Sequence, residues 1–267
     1  SGSWTQLGSD IDGEAASDNF GYSVSLSSDG SIVAIGGVLN DGNGTNSGQV
    51  RVYEYSSGSW TQLGADIDGE AASDMSGQSV SLSSDGSIVA IGARGNNGNG
   101  SLSGHVRIYQ YSSGSWTQLG SDIDGEAASD YSGHSVSLSS NGSRVAIGAV
   151  NNDAGGGTNK GHVRIYQYSS GSWTQVGSDI DGENNYDNFG VSVSISSDGT
   201  KFAAGALYNA EGGSNAGRVQ AYSMSSNSTA TLTITSNDSD NVITSGQVTL
   251  TATFSQNMNA SPSISIT

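Results

Sequence analysis

Cysteine is absent from the 267 residues, which excludes disulfides, thiolate metal sites and a cysteine nucleophile. Positive charge is scarce: eight Lys and Arg stand against 25 Asp and Glu, for a net charge of −17. Such a surface repels phosphate backbones and anionic membranes, so no nucleic-acid partner is expected, while cations and basic surfaces are attracted. No apolar run approaches the ~18 residues of a membrane helix, and no membrane insertion is expected in this segment. No signal peptide heads the chain. Its opening, "SGSWTQLG", already lies inside a repeat, so the chain reads as a piece of something longer. Charged residues make up only 12%, yet apolar residues plus glycine reach an ordinary share and permit a packed core.

What is present is a repeat. Trp4, Trp60, Trp116 and Trp173 are spaced by 56, 56 and 57 residues, and Val24, Val80, Val136 and Val193 keep the same spacings. The added residue falls in the loop "GAVNNDAGGGTNKG", which leaves the strands in register. A fixed period of this length signals a stacked array or a propeller. Each period holds four strand candidates and no helical pattern. In the first they are "YSVSLS" (22–27), "SIVAIGG" (31–37), "QVRVYEY" (49–55) and "WTQLGADI" (60–67), separated by "SDG", an Asn/Gly loop and "SSGS". The runs apolar on both faces need cover on both sides. The serines of the first strand fit a crowded innermost position. Four antiparallel strands in about 50 residues make a propeller blade. The fold class expected is all-β, a propeller of four-stranded antiparallel blades occupying residues 1–226.

The order "FGYSVSL…IVAIGG…GQVRVYEY" (20–55) resembles the FG-GAP repeat of integrin α-subunit propellers and related bacterial surface proteins. The resemblance covers residues 1–223. Phe20-Gly21 and Phe189-Gly190 keep the name-giving pair, Ser76-Gly77 and Ser132-Gly133 keep the glycine, and the second-strand proline is missing throughout. The resemblance implies an innermost Phe-Gly strand and an outer strand that precedes the next Phe-Gly. On that order the chain opens with an outer strand, Trp4–Ile11, and ends its array with three strands that lack one. Pairing Trp4–Ile11 with Val219–Tyr222 would close a ring of sixteen strands in four blades; a larger ring with further blades upstream is the rival. Residues 227–267 leave the repeat. Their alternation at Thr231–Thr235 and Val248–Phe254 resembles the start of a bacterial Ig-like domain, or else strands that pair with another chain.

The acidic loops are the candidate site. "DIDGEAASD" and its relatives place Asp10, Asp12, Glu14 and Asp18 in the first repeat and Asp66, Asp68, Glu70 and Asp74 in the second. Asp122, Asp124, Glu126 and Asp130 follow in the third, then Asp179, Asp181, Glu183 and Asp187 in the fourth. Such a loop supplies carboxylates around a glycine, the ingredients of a calcium site. Asx turns between strands use the same residues. The integrin-type calcium loop lies between first and second strands, where this chain has only "SSDG" or "SSNG", so that site is not carried over. Calcium is the one cofactor the sequence suggests. The Asn/Gly/Asp loops at 40–48, 95–104, 151–161 and 209–217 vary while the strands barely do, and by analogy share a face with the acidic loops. That pattern suits recognition on a rigid scaffold and equally suits weakly constrained surface loops.

His105 and His162 share a position with Gln49 and Arg218, which reads as a solvated strand end rather than a ligand. His134 alternates in the same way with Tyr22 and Gln78. No serine sits in a nucleophile elbow. The tryptophans are expected between blades, with an exposed sugar-gripping ladder as the alternative. Near-interchangeable repeats favour a non-enzymatic extracellular or cell-surface adhesion or structural module, a segment of a large repetitive protein. A carbohydrate-binding or hydrolytic propeller is the competing class. The expected partners are a protein or glycan surface ligand, or copies of the chain in a homo-oligomer.

Overall fold

A computed structural model describes residues 2–224, 233–235 and 251–253. The chain divides into two compact units, Ser1–Ser223 and Met224–Thr267. In the first, each repeat forms one antiparallel sheet. Sheet one joins β1 (Phe20–Leu26), β2 (Ile32–Gly37), β3 (Gln49–Ser56) and β4 (Ser59–Gln62), with β5 (Ile67–Asp68) also on β3. Sheet two repeats this with β6 (Ser76–Leu82), β7 (Ile88–Ala93), β8 (His105–Ser112), β9 (Ser115–Gln118) and β10 (Ile123–Asp124). Sheet three follows with β11 (Ser132–Leu138), β12 (Arg144–Ala149), β13 (His162–Ser169), β14 (Ser172–Gln175) and β15 (Ile180–Asp181). The fourth has three strands, β16 (Phe189–Ile195), β17 (Lys201–Ala206) and β18 (Arg218–Ser223). This is the expected all-β propeller-blade architecture.

Two short strands of the second unit, β19 (Thr233–Thr235) and β20 (Thr251–Thr253), pair antiparallel with Thr233 opposite Thr253. The remainder of the Ig-like segment expected over 227–267 lies outside the described residues.

The outer strand expected at 60–67 is two pieces. β4 pairs with the distal half of β3, β5 with its start, and Leu63–Asp66 bulges between them. The bulge turns the Leu63 carbonyl toward the next blade, where it accepts the Trp116 indole N–H at 2.7 Å. Leu119 and Trp173 repeat the bond at 2.7 Å, and Leu7 and Trp60 at 2.9 Å. Trp116 and Trp173 therefore do sit between blades, while Trp60 sits against the N-terminal segment; each lies about 5 Å from a tyrosine of its own sheet.

The innermost strands meet through serines. Ser23 Oγ donates to the Gly77 carbonyl at 2.7 Å, Ser79 to Gly133 at 2.9 Å, and Ser135 to Gly190 at 2.7 Å. Ser25, Ser81 and Ser137 then accept the backbone N–H of Leu82, Leu138 and Ile195. Gly77 makes this possible. It sits in a bulge at φ +86°, which aims its carbonyl at the previous blade. A Cβ on Gly36 would collide with that same carbonyl. The first-strand and second-strand glycines of successive repeats are thus contact partners across the seam.

Behind the seam lie the apolar layers. Val50, Val52 and Ile67 of one sheet pack on Val80, Leu82 and Val89 of the next, and this layer recurs twice. Each fully buried Val or Leu contributes about 1.5–3 kcal/mol relative to exposure. The tight "SSDG" turns are self-contained: Asp29 Oδ1 accepts from the Ser27 and Ser31 hydroxyls and the Ser31 amide. These bonds lower its pKa to about 2.

Ring closure by the N-terminal strand does not occur. Trp4–Ile11 forms no strand and the fourth sheet stays three-stranded. Val24 and Leu26 of β1 are 65% and 59% exposed, whereas their counterparts Val80 and Leu82 are 8% and 7%. Val219 of β18 is 74% exposed, against 0% for Val50, Val106 and Val163. The faces of β1 and β18 that would meet in a closed ring are therefore left open to solvent. Residues 7–14 remain on that blade through the Leu7–Trp60 bond and an Arg51 Nη2 bond of 2.8 Å to the Asp12 carbonyl.

Trp116→Phe keeps an aromatic ring but removes the pyrrole portion of the indole, and with it the N–H that bridges two blades. Denaturant unfolding is expected to show a loss of about 0.5–1.5 kcal/mol. Trp4→Phe, fully exposed, is expected to unfold like the parent.

Candidate functional site

The acidic loops and the Asn/Gly/Asp loops interlock on one rim. The loop at 66–74 is clamped from three sides. Asn43 Nδ2 donates to the Gly69 and Glu70 carbonyls at 2.9 and 3.0 Å, from the preceding blade. Arg107 Nη2 donates to the Asp68 carbonyl at 2.6 Å, from the following blade. Asp74 Oδ2 accepts from Ala71 N at 3.0 Å and from Asn96 Nδ2 at 3.1 Å. Backbone bonds complete the join, with Ser73 N on Thr45 O and Ser76 N on Ser47 O. The expected common face is therefore one hydrogen-bonded surface. A cleft of about 370 Å³ opens on it between Glu14–Asp18 and Leu39–Asn46.

The four acids of one loop go to four different places. The first, Asp10, Asp66, Asp122 or Asp179, accepts from the glutamine four residues before it at 2.6–2.8 Å. The second, Asp12, Asp68 or Asp124, offers its carbonyl to the next blade's arginine. Burial, the largest cause, pushes the Asp68, Asp124 and Asp181 carboxyls up, with Asp66, Asp122 and Asp179 respectively adding repulsion. The third acid reaches across the blade boundary. Glu14, Glu70 and Glu126 lie 3.5–3.7 Å from Arg51, Arg107 and Arg164, while Glu183 bonds Arg218 at 2.6 Å. The fourth, Asp18, Asp74, Asp130 or Asp187, is buried and closes its own turn while binding Asn40, Asn96, Asn152 or Asn209. The loop glycine has its own reason: at Gly69 a Cβ would strike the Ser47 carbonyl. The second and third acid positions thus serve as clasps between successive blades, and the first and fourth as local fasteners of the loop.

The histidines correct the sequence reading. His105 and His162 are 1% exposed, not solvated strand ends. β8 and β13 are interior strands covered on both faces. Alternation puts His105, Arg107 and Tyr109 on the face toward the preceding acidic loop. Burial, with Arg107 and Arg164 adding to it, pushes both imidazoles down to about 4. His134 is half-buried, its pKa likewise lowered by burial. The three buried arginines at 51, 107 and 164 were missed altogether. Their 56- and 57-residue spacing at the middle of a two-faced strand was the available signal. Among the described residues, donor atoms converge within 4.8 Å in two groups, Glu70–His105–Asp122 and Glu126–His162–Asp179. Both draw on successive loops; neither is assembled from one "DIDGE" loop.

Residues 10–53 match the family model for the FG-GAP repeat. The match spans one acidic loop, β1, β2 and most of β3, the elements that build the seam and the rim. No curated protein matches the chain. Similar solved structures include Kuenenia stuttgartiensis hydrazine synthase, at 11% identity and TM-score 0.41, covering 76% of this chain and 45% of that one. Saccharomyces cerevisiae Sqt1 aligns at 14% identity and TM-score 0.46, covering 73% and 44%. The tricorn protease aligns at 5% identity and TM-score 0.45, covering 75% and 21%. The chain spans less than half the length of each.

Two measurements probe the rim. Asp74→Ala strands the Ala71 amide and the Asn96 side chain, and is expected to cost about 1–3 kcal/mol in denaturant unfolding. Asp66→Asn, which keeps an oxygen for Gln62, is expected to stay within about 0.5 kcal/mol. Because each loop's acids are engaged apart, calcium is expected to raise the melting temperature no more than sodium at equal ionic strength, by screening alone. A calcium-specific rise abolished by Asp12→Asn, Asp68→Asn, Asp124→Asn and Asp181→Asn together would restore the cage.

Proposed function

We propose that this FG-GAP-type propeller chain is a non-enzymatic recognition or structural module of an extracellular or cell-surface protein, engaging a protein or glycan ligand through its loop rim. The observation that carries this reading is the rim itself. Its backbone is fixed by side-chain clamps from both neighbouring blades, yet solvent-facing positions such as Thr45, Ser101 and Thr158 project from it. A surface held rigid without using its outermost side chains is available for binding at little ordering cost. The same arrangement recurs from repeat to repeat, which suits a multivalent contact better than one unique catalytic constellation. The acidic surface favours a partner that is neutral or basic.

The test is binding of the purified, labelled chain to a glycan array and to a panel of extracellular-matrix proteins. The parent is expected to bind a ligand, and Thr45→Arg/Ser101→Arg/Thr158→Arg is expected to weaken that binding at least tenfold with unchanged melting. Turnover of a glycan by the parent chain would overturn the non-enzymatic reading.

A further inference from the structure

The two convergent groups at the blade boundaries have a chemistry of their own. His105 Nδ1 stands 3.8 Å from Glu70 Oε2 and 3.9 Å from Asp122 Oδ2. His162 Nδ1 stands 3.7 Å from Glu126 Oε2. These separations are too long for hydrogen bonds. Indeed Nδ1 and Nε2 of His162 and Nε2 of His105 are buried with no hydrogen-bond partner. A buried imidazole left unpartnered beside carboxylates costs free energy and calls for an explanation.

We propose that Glu70–His105–Asp122 and Glu126–His162–Asp179 each bind a divalent first-row transition ion, of which Zn²⁺ is the type, through one imidazole nitrogen and two carboxylate oxygens. Four-coordinate zinc with bonds of about 2.1 Å sets its ligand atoms about 3.4 Å apart, a spacing that donor atoms already within 4.8 Å of one another reach by closing up to about 1.4 Å. One nitrogen with two oxygens suits zinc and its neighbours better than calcium or magnesium, which take oxygen alone. The second layer is in place. Arg107 Nη1 lies 3.5 Å from Glu70 Oε1 and Arg164 Nη1 lies 3.5 Å from Glu126 Oε1, which leaves Oε2 of each glutamate facing the imidazole. Both glutamates and Asp179 are exposed and Asp122 is partly exposed, so an ion has a path from solvent and a fourth position for water.

The other repeats serve as built-in controls. In the first, Gln49 takes the histidine's place and its amide donates toward Glu14. In the fourth, Arg218 takes it and occupies Glu183 and Glu211 with its own charge. Two ions per chain are therefore expected, not one per repeat.

Calorimetric titration of the 267-residue chain with ZnCl₂, in excess Mg²⁺ to saturate diffuse binding, is expected to give a stoichiometry of two. His105→Gln or His162→Gln should reduce it to one and the double variant to zero. Glutamine is native at this position in the first repeat, and a melting curve checks that the variants fold. Co²⁺ in place of zinc should give a four-coordinate visible absorption that the double variant lacks. His134→Gln should leave two. A parent chain that takes up no zinc, a double variant that keeps both ions, or a loss on His134→Gln would overturn the assignment.

Discussion

Everything in the first unit is built around the hydrogen bond from a serine hydroxyl to a glycine carbonyl between neighbouring innermost strands. The bond needs a small side chain on one strand and, on the next, a glycine whose positive φ turns its carbonyl sideways. It also needs a second glycine, Gly36, Gly92 or Gly148, because anything larger would fill the space that carbonyl enters. Once two sheets are held this closely, their valines, leucines and isoleucines meet and the apolar layers close. Sequence elements that look like low-complexity filler, serine and glycine, are thus the most geometrically constrained residues of the blade.

A second tier of bonds, further out, converts the stack into a surface. Tryptophan indoles clip to the bulged leucines, arginines to the second acid's carbonyl, and asparagines to the fourth acid's carboxylate. The indole and arginine clips join one repeat to the next, 53 or 54 and 39 or 40 residues apart, while the asparagine clip fastens each acidic loop to its own blade across 22 residues. The acidic loops are therefore connective tissue whose remaining carboxylates, the first and third of successive loops, face each other across the boundary. Where histidine stands between them, that meeting has metal-ligand character; where glutamine or arginine stands there, it is an ordinary polar contact.

Much of this was legible in the sequence. The period, the three inner strands of each blade and the turn chemistry follow from Trp, Val and Ser-Asp-Gly spacing, since these depend on local geometry. The serines were read as small, which is correct, but not as donors, because the partner carbonyl lies 54 or 55 residues away. Ring closure failed for a related reason: the packing of one blade on the next rests on non-local contacts such as Ser23 with Gly77, which no single repeat encodes. The histidines at 105 and 162 were misplaced because a position shared by Gln, His and Arg suggested solvent. Yet "HVRIYQYS" forms a strand with sheet on either side, where Gln49, His105 and His162 are buried and only Arg218, on the last sheet, is partly exposed.

The divided outer strand has a consequence for how the molecule comes together in time. Leu63 presents its carbonyl only to a tryptophan that arrives 53 residues later, and Ser23 waits 54 residues for Gly77. Each blade is consequently finished by the one synthesised after it, and every such closure spans nearly the same length of chain. The entropic toll of joining is then almost constant from one blade to the next. A nascent chain can zip in order, each newly made repeat acting as the template-reader for its predecessor.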